Sequence, residues 1–426
     1  MLFIEQLRKT PKELSSLPVA VKRMGLVIFI YHLSWGIVNP FMPLFFFEVF
    51  GTYGATTFIA ALFTILGMLW LFPVGEFLDR FSQRKTFRFI LLFYLPIWPY
   101  LAVLQTFLQA VIYQIYHSIT ATVLWSSAET YNRTHAERGR CSEAWGLHDI
   151  CSTFSLAVGA LVGGLMLQYF MDIRMLFVTF PPLLIIVAFV VSKYLPKDPN
   201  KVNIKARDAF RSMEWKQLYR RALRNFYFTP GLARIWPFIF FLGFMSASQV
   251  VMIPLMADSL GASYFIIGVM YALFSLPILF EAPFSVLADT WSAKRLIIIG
   301  SLLSVFSLLG FGISQEVFIL VPLSLTLGLA VAMFVPSVSG AVGNSINSDN
   351  KGELNSVFMA SQSLGGIVGL FTLGSLADII GIQEVFFISA GVMLLSAILA
   401  IFIWKDRVPG NDEFTHPNIE KAQPVI

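Results

Sequence analysis

Charged residues are scarce in this sequence. Of 426 residues, only 13% are Asp, Glu, Lys or Arg, whereas 57% are hydrophobic. Soluble globular domains contain about 25% charged residues, so the composition excludes an ordinary soluble protein. The apolar residues fall in long runs, and roughly 20 of them suffice for one helical crossing of a bilayer, which allows about twelve crossings here. The sequence therefore predicts an all-α membrane protein with twelve transmembrane helices.

Several kinds of chemistry have no residues to support them. The only cysteines are Cys141 and Cys151, and ten residues on one predicted helix separate their positions by about 15 Å, which is too far for a disulfide. There is no Gly-rich loop that ends in Lys-Ser or Lys-Thr to cradle phosphates. Clusters of Cys and His and nucleophile constellations are also lacking. We therefore predict no cofactor, no metal, no nucleic-acid partner and no enzyme activity.

The apolar runs divide the chain into five regions. We predict a tail over 1–23, a six-helix bundle over 24–195, an amphipathic linker over 196–233, a second six-helix bundle over 234–404 and a tail over 405–426. The predicted spans are 24–47, 55–74, 87–104, 107–128, 144–170 and 175–194 in the first bundle, and 234–257, 264–287, 296–314, 317–340, 354–376 and 385–404 in the second.

The basic residues predict the orientation. Lys and Arg concentrate in cytoplasmic loops, and with these spans only Arg174 of the 30 basic residues falls on the opposite side. Both termini and the linker are therefore predicted to be cytoplasmic, in a multi-pass protein of the plasma (inner) membrane. The linker places an apolar helical stripe opposite a basic face, which predicts contact with membrane lipid; binding of a partner protein is the alternative. We expect a monomer.

The two bundles are related by an internal repeat. Asp79 and Asp289 lie 210 residues apart, as do Pro73 and Pro283, and Pro43 and Pro254 lie 211 apart. Two six-helix halves that point the same way indicate a parallel repeat, in which the solute site is expected near the bilayer midplane between the halves.

The loop after span two carries a recognisable motif. Gly75 is followed after three residues by Asp79 and Arg80, and then after one residue by Ser82, Gln83 and Arg84. In this respect the chain resembles the major facilitator superfamily (MFS) of secondary transporters. The matching residues are Gly75, Asp79, Arg80 and Arg84, whereas Ser82 and Gln83 stand at the second glycine and the first closing basic position.

The second half contains a weaker copy of this loop. Asp289 and Lys294 are retained, with Ser292 at the glycine position, and Arg138 lies in the basic segment that opens span five. The resemblance implies that these loops take part in gating, because an aspartate at a helix end paired with arginines can lock one conformation. The alternative is that Asp79 and the basic residues only anchor helix ends at the lipid headgroups.

Span five contains a glycine motif. Gly159, Gly163 and Gly164 resemble the core of the superfamily's antiporter signature, with Ala160 in place of its proline. Gly159 and Gly163 also leave bare backbone on one helix face, which allows another helix to pack closely. We expect helix packing here, and the resemblance slightly favours export.

Ionisable residues at membrane depth are costly, so each is a functional candidate. His32, His148, Asp149 and Glu281 fall within predicted spans. An acid shielded from water binds its proton more tightly and can exchange it as access alternates between the two sides. We expect proton coupling at Asp149 and Glu281, with His32 and His148 as further candidates. The alternative is that each of these groups is satisfied by a neighbouring helix, or, for Asp149, by water near the surface.

Polar and aromatic residues predict a solute cavity. The candidate lining residues are Trp35, Asn39, Gln114, His117, Gln249, Asn355 and Gln362. They combine aromatic surface with hydrogen-bonding groups, as ligand sites do, although polar stripes also join helices. His32 and His117 could instead bond a serine or a backbone carbonyl. No Lys or Arg lies deep in a span, so a strongly anionic solute would lack a cationic partner.

These observations predict a secondary transporter that works by alternating access. We expect coupling to protons and a small, neutral or cationic, amphipathic solute, with export slightly favoured over import. One alternative is a proton symporter that imports a neutral nutrient. Another is a non-transporting membrane sensor or scaffold that has the same fold.

Overall fold

The computed structural model of this chain describes residues 16–137, 140–170, 172–198, 232–344 and 351–404. Most of the predicted linker and tails therefore lies outside the described residues. The described ranges are helical and form twelve spans, named α1 to α12. In the first half, α1 comprises Val19–Gly36 and Met42–Phe50, α2 Tyr53–Arg80, α3 Gln83–Phe93 and Ile97–Val103, α4 Phe107–His135, α5 Cys141–Phe170, and α6 Ile173–Val178 and Phe180–Ser192.

The second half repeats this arrangement. Here α7 comprises Leu232–Ala247 and Ile253–Ser259, α8 Tyr264–Ile278 and Glu281–Leu287, α9 Ala293–Ile313, α10 Val317–Asn344, α11 Lys351–Ile380, and α12 Glu384–Ile403. Within the described ranges, eleven helices are long and apolar enough to cross a membrane. The twelfth span, α4, is a 29-residue helix with a more polar sequence. We call the membrane face that holds the start of α1 and the end of α12 the termini face, and the opposite face the far face.

Several predicted spans are interrupted in the structure. The predicted first span begins five residues too late, because α1 starts at Val19, and its two segments are separated by a 3-10 turn over Asn39–Phe41. A second break separates the segments of α3 at Pro96, which has no N–H to donate to the preceding turn. A third follows Ile278 in α8. Hydropathy is continuous across these breaks, so the apolar runs alone did not predict them.

The repeat is visible in how the helices begin and end. Gly51 and Gly261, 210 residues apart, both adopt positive φ, at 71° and 78°, where the chain turns on the far face. Only glycine adopts this conformation without strain. Ser82 and Ser292, also 210 apart, each accept a hydrogen bond from a backbone N–H three residues later and so cap α3 and α9.

Two pairs of helices join the halves. α5 packs against α8, and α2 packs against α11. Within the halves the contacts are equivalent, since α1 packs on α5 as α7 packs on α11, and α2 on α4 as α8 on α10. The protein is therefore a pair of pseudo-symmetric six-helix bundles that meet along two seams, with a cavity between them.

Candidate functional site

A cavity of about 500 Å³ lies between the two halves. Residues from α1, α2, α4, α7 and α11 form most of its wall. Four members of the α1 stripe, His32, Trp35, Asn39 and Met42, all line it even though the helix is interrupted at Asn39. None of the described residues that line the cavity is Asp, Glu, Lys or Arg.

His32 presents one ring nitrogen to this region without a protein partner. Its Nδ1 lies 3.0 Å from the carbonyl oxygen of Ile28, one turn earlier in α1. Because a carbonyl only accepts, Nδ1 carries the hydrogen and donates it. Nε2 is buried and has no hydrogen-bond partner within the described chain. The backbone bond is the alternative raised above for this residue, and it leaves Nε2 as a free acceptor beside the cavity.

His117 lies inside an aromatic cluster. Its ring is stacked on Phe63 at 4.8 Å and on Tyr113 at 5.2 Å, and it lies 4.8 Å from the ring of Trp35. The Tyr113 hydroxyl and His117 Nδ1 are 3.2 Å apart. Stacked and tilted rings at these distances attract one another and hold their orientations. The cluster gives the first-half wall a rigid aromatic surface.

The predicted cavity residues do not all meet. Trp35, Asn39, Gln114, His117 and Gln362 line the cavity. Gln249 instead lines a separate pocket of about 50 Å³ together with Tyr271. The cause is local, because Gln249 lies in a π-helical turn, Ser248–Met252, that changes the face on which it falls. Asn355 has a side chain outside the described residues.

Asn39 also connects the two halves. Its Nδ2 donates to the Tyr271 hydroxyl of α8 over 2.7 Å. Gln249 is 210 residues beyond Asn39 and lies beside the same tyrosine. The two amides are therefore related by the repeat, although only Asn39 belongs to the cavity.

Six aromatic residues of the wall were missed by the sequence reasoning. They are Tyr31, Phe46, Phe63, Tyr94, Tyr113 and Trp125. A signal for two of them was present, because Tyr113, His117, Ala121 and Trp125 recur every four residues along α4. That spacing places them on one helix face. All four line the cavity.

The proton-coupling candidates lie between the cavity wall and the α5–α8 seam. His32 is 4.7 Å from the ring of Trp125, which in turn is 5.4 Å from the ring of His148. Asn132 is 3.2 Å from His148 Nδ1, and His148 Nε2 is buried without a hydrogen-bond partner in the described chain.

Two carboxyl groups from opposite halves lie near each other. Asp149 of α5 and Glu281, the first residue of the second α8 segment, are close enough for their charges to interact. Neither lines the cavity. Asp149 directly follows His148, so a series of titratable groups runs from His32 at the cavity to Glu281 in the other half.

The motif loops make contacts within their own halves. A guanidinium N–H of Arg84 points to the Lys193 carbonyl at the end of α6, over 3.5 Å. The equivalent Lys294 donates to the Ile401 carbonyl near the end of α12 over 2.7 Å. Such contacts neutralise the negative end of a helix dipole. Each contact therefore joins a motif loop to the last helix of its own half.

The remaining gating candidates are described only in part. The side chains of Asp79, Arg80 and Asp289, and the whole of Arg138, lie outside the described residues. At Gly75 an added Cβ would meet nothing within 4 Å, so no close approach explains this glycine. Ser82, at the family's glycine position, caps α3 and also hydrogen-bonds Asp198.

Arg140, beside Arg138, ties the start of α5 to the chain that precedes α1. Its guanidinium donates to Glu143 over 2.6 Å and to the Ser16 hydroxyl over 2.7 Å. Hydrogen bonds to Glu143 and then to Glu137 raise the pKa of Arg140 above its usual range. This basic segment therefore also makes contacts inside the first half.

The glycines of α5 lie at close helix contacts. A Cβ at Gly159 would be 2.7 Å from the carbonyl carbon of Gly36, and one at Gly163 would be 2.1 Å from the Ile37 carbonyl oxygen. Both positions face α1. Gly164 instead faces the other half, where a Cβ would be 2.8 Å from the Tyr264 carbonyl oxygen. The motif therefore joins α5 to α1 and α8 at once.

The α2–α11 seam is closed on the far face by a charged cap. Asp378 of α11 accepts hydrogen bonds from the backbone N–H groups of Tyr53 and Gly54, each over 2.8 Å. A carboxylate stabilises the positive end of a helix dipole. This contact, which we call the far-face latch, joins the halves on the side away from the termini.

A comparison with known families agrees with this architecture. The sequence model of the Major Facilitator Superfamily matches residues 24–252 and 235–421. The chain belongs to the Major Facilitator Superfamily. Together with the fold, this membership makes it a multi-pass membrane protein.

Individual relatives match over shorter stretches. The multidrug resistance protein MdtG of Citrobacter koseri is 27% identical over 183 residues, 42% of this chain and 45% of that protein. The multi-drug resistance efflux pump PmrA of Streptococcus pneumoniae is 27% identical over 143 residues, 33% of this chain and 36% of the pump. The matches thus span less than half the length of either relative. The crystal structure of the nucleoside transporter NupG has a TM-score of 0.70 and covers 91% of this MFS chain and 100% of its own, at 15% identity. That likeness concerns the fold.

Proposed function

We propose that this MFS protein exports flat, neutral or cationic amphipathic solutes by alternating access, in exchange for protons. The observation that carries the solute class is the cavity wall. It includes seven Phe, Tyr and Trp residues and two histidines, and no described lining residue is charged. Aromatic faces carry negative potential and attract organic cations. An anion would leave water without a basic group to replace its hydration.

Export is supported by two of the relatives, because one is named a multidrug resistance protein and the other an efflux pump. Both names belong to proteins of which this chain matches less than half, so the direction remains our proposal. We also propose that both termini face the cytoplasm of the plasma (inner) membrane, because basic residues concentrate in the loops on that side. We further propose that the protein is a monomer and that its chain is divided into the two tails, two bundles and linker defined above.

Proton coupling is proposed at the carboxyl groups of Asp149 and Glu281. They come from opposite halves, and their charges interact. Movement of one half against the other would change both their separation and their access to water. A carboxyl group whose surroundings alternate in this way can bind a proton on one side and release it on the other. Neighbouring His148 offers a third site in the same series.

Flux in proteoliposomes tests this function. Purified protein would be reconstituted with an acidic lumen, and ethidium, a planar aromatic cation, would be added outside. Antiport predicts that ethidium accumulates in the lumen as protons leave it. With ethidium at equal concentration on both sides, its loss from the acidic lumen would instead identify a proton symporter. Ethidium movement equal to that of protein-free liposomes would contradict the transport proposal for this solute class.

Two substitutions test the coupling groups. Glu281→Gln and Asp149→Asn should each reduce gradient-driven accumulation at least tenfold, because the amide cannot exchange a proton. Ethidium binding to the purified variants should change less than threefold, because neither group lines the cavity. Asp258→Asn is the matched control, since Asp258 is an exposed carboxylate elsewhere in the second half. Full coupling in both variants would contradict the assignment.

A further inference from the structure

Four basic side chains gather on the termini face where α1, α3 and α6 meet. We call Arg23, Arg84, Arg88 and Lys193 the cationic cluster. Arg23 donates to the Tyr194 carbonyl over 2.8 Å, and Arg84 points to the adjacent Lys193 carbonyl over 3.5 Å. Arg88 and Lys193 lie over the same ring, that of Phe189, at 5.9 and 5.5 Å from its centre. Side chains from three helices therefore concentrate positive charge in one place.

The cluster keeps unused hydrogen-bond donors. A guanidinium has five N–H donors, yet the Nε atoms of both Arg84 and Arg88 are buried and have no acceptor within the described chain. Buried donors without acceptors are costly, and they are expected to find a partner. Capping of the α6 carbonyls uses only one N–H each from Arg23 and Arg84, so capping alone does not account for the cluster.

Acidic residues do not balance this charge. In the described part of the chain, the ion pairs at salt-bridge distance involve Arg133 and Arg140, and none involves the four members of the cluster. Asp198 lies nearby, where its carboxylate contacts the Ser82 hydroxyl and the Arg84 backbone N–H. Among the side chains that the structure describes, this one carboxylate lies beside four cations, so the described cluster has a net positive charge. The adjoining sequence 199–231 contains eight basic and two acidic residues, so its own formal charge is also positive.

An apolar surface continues from the cluster toward the membrane interior. Phe89 and Phe93 of α3 are 65% and 52% exposed, and Ile186 and Val190 of α6 are 46% and 44% exposed. α3 and α6 are neighbours. Their exposed side chains therefore border one strip of lipid-facing surface with the cationic cluster at its end. A ligand that fits has a negative head and long apolar chains.

We propose that the cationic cluster binds the phosphate group of an anionic phospholipid, whose acyl chains lie along α3 and α6. Arg84 and Arg88 donate to the phosphate oxygens, and Lys193 and Arg23 add positive charge at the headgroup. Arginine is suited to this role because its planar fork pairs with phosphate oxygens. The bound lipid would join α1, α3 and α6 at the termini face and stabilise the first half, whatever solute the protein moves.

Lipid binding to the purified protein tests the site. Delipidated protein in neutral detergent would receive dioleoyl phosphatidylglycerol, dioleoyl phosphatidylcholine or inorganic phosphate. Its thermal unfolding midpoint would be recorded, and native mass spectrometry would count retained lipid. We expect the anionic lipid to raise the midpoint and to remain bound at a ratio of one, and the neutral lipid and inorganic phosphate to do neither. Equal protection by inorganic phosphate would identify free phosphate as the ligand and overturn the lipid assignment.

Charge variants locate the binding. The double substitution Arg84→Gln with Arg88→Gln should weaken the anionic-lipid response at least tenfold. Arg133→Gln is the matched control, because Arg133 lies on the same face but pairs with Glu129, and its response should equal that of the unaltered protein. Arg88→Gln alone, expected to weaken the response at least threefold, serves if the double variant does not fold. An anionic-lipid response unchanged in these variants, or equal to that of the neutral lipid, would overturn the proposal.

Discussion

The two halves of this protein share a backbone design but differ in the side chains they present to the cavity. Gly159 and Gly369 are 210 residues apart and face α1 and α7 respectively. At each position the facing helix is too close to admit a Cβ atom. Gly164 and Gly374 keep the same offset, and both lie at a seam between the halves. Where helices must approach closely, the repeat is therefore retained.

The cavity walls do not follow the repeat. The first half contributes every aromatic lining residue and both histidines. The second half contributes small, aliphatic or amide side chains, which are Gly243, Ser246, Ala247, Val250, Val251, Met359, Gln362, Ser363, Gly366 and Leu370. Helix packing restricts residue size at a few positions, whereas a residue facing the cavity is free to change with the solute. The difference separates what holds the fold from what selects the solute.

The largest expected effect, a loss of stability, comes from substitutions at the close helix contacts that both halves share. Gly159→Ala in the first half and Gly369→Ala in the second, which are 210 residues apart, each place a Cβ against the backbone of the helix they face, 2.7 Å from the Gly36 carbonyl carbon in α1 and 3.0 Å from the Phe244 carbonyl oxygen in α7. Overpacking of this kind costs about 3 kcal/mol. Both variants should show a clearly lower thermal unfolding midpoint in detergent, to a similar extent.

Glycines on the same two helices supply the controls. A Cβ at Gly146 in α5 would meet nothing within 4 Å, and one at Gly366 in α11 would make only an ordinary contact at 3.6 Å. Alanine there should leave stability unchanged or raise it by up to about 1 kcal/mol, because alanine favours a helix more than glycine does. If all four variants had the same midpoint, close packing would not be what the repeat preserves.

The second expected effect is confined to one wall. Trp35→Ala removes an aromatic face that lies beside His117 and Trp98, and it should weaken ethidium binding at least tenfold, which is about 1.4 kcal/mol. Val250→Ala, on the opposite wall, should weaken binding less than threefold. Equilibrium binding measured by ethidium fluorescence, with unfolding midpoints to exclude misfolding, checks both. Equal losses would mean that the two walls contribute alike and that the asymmetry has no role in affinity.

The architecture that the two halves share was easier to predict from the sequence than the cavity wall, in which the halves differ. Constant offsets between Asp79 and Asp289 and between Pro73 and Pro283 predicted two halves, and the all-helical fold and family are confirmed. A further signal, Gly164 and Gly374 at the same offset, was available in the sequence and marks the seams. Because the backbone arrangement is repeated, its packing contacts recur as well, and the same residue types appear at a constant offset in the sequence.

The cavity was harder to predict from the sequence because its wall is assembled from separate helices. The stripe from His32 to Met42 indicated one side, but Phe63 of α2 and Tyr94 of α3 meet it only through tertiary packing. Gln249 lies in a π-helical turn, which shifts its face by a fraction of a turn, and apolar content does not reveal such a shift. Likewise, the interaction of Asp149 with Glu281 joins residues of two halves with no local pattern between them.

The third prediction concerns a place where the seams themselves differ. Asp378 caps α2 in the far-face latch, whereas the residue 210 positions earlier, at the equivalent place on α5, is the uncharged Gln168. Asp378→Asn retains the shape but removes the charge, at a cost of about 1 kcal/mol, which corresponds to roughly a fivefold shift toward the far-open state. Labelling of Thr56→Cys by an impermeant maleimide, in a chain with Cys141 and Cys151 replaced by serine, measures that opening because Thr56 lines the cavity and is buried.

A second far-face carboxylate tests whether the effect is specific. Asp172 caps α6 through the Arg174 backbone N–H over 2.8 Å, wholly within the first half. Asp172→Asn removes the same charge from a helix start but does not touch a seam, so maleimide labelling should stay at the level of the unaltered chain. Faster labelling in both variants would attribute the change to general loosening of the far face instead of the latch.

The smallest expected effect is a difference in ethidium binding between variants of the two cavity glutamines. Gln114, in the first-half wall, is 5% exposed, and its Oε1 has no hydrogen-bond partner within the described chain. A solute that donates an N–H to this oxygen gains about 1 kcal/mol, so Gln114→Leu should weaken ethidium, which carries two aromatic amines, about fivefold. Gln362, in the other wall, is only partly buried and can keep its hydration, so Gln362→Leu should change binding less than twofold. Tetraphenylphosphonium has no N–H and should bind both variants as it binds the unaltered protein. If Gln114→Leu weakened both cations equally, the amide would act through the shape of the wall and not through a hydrogen bond to the solute.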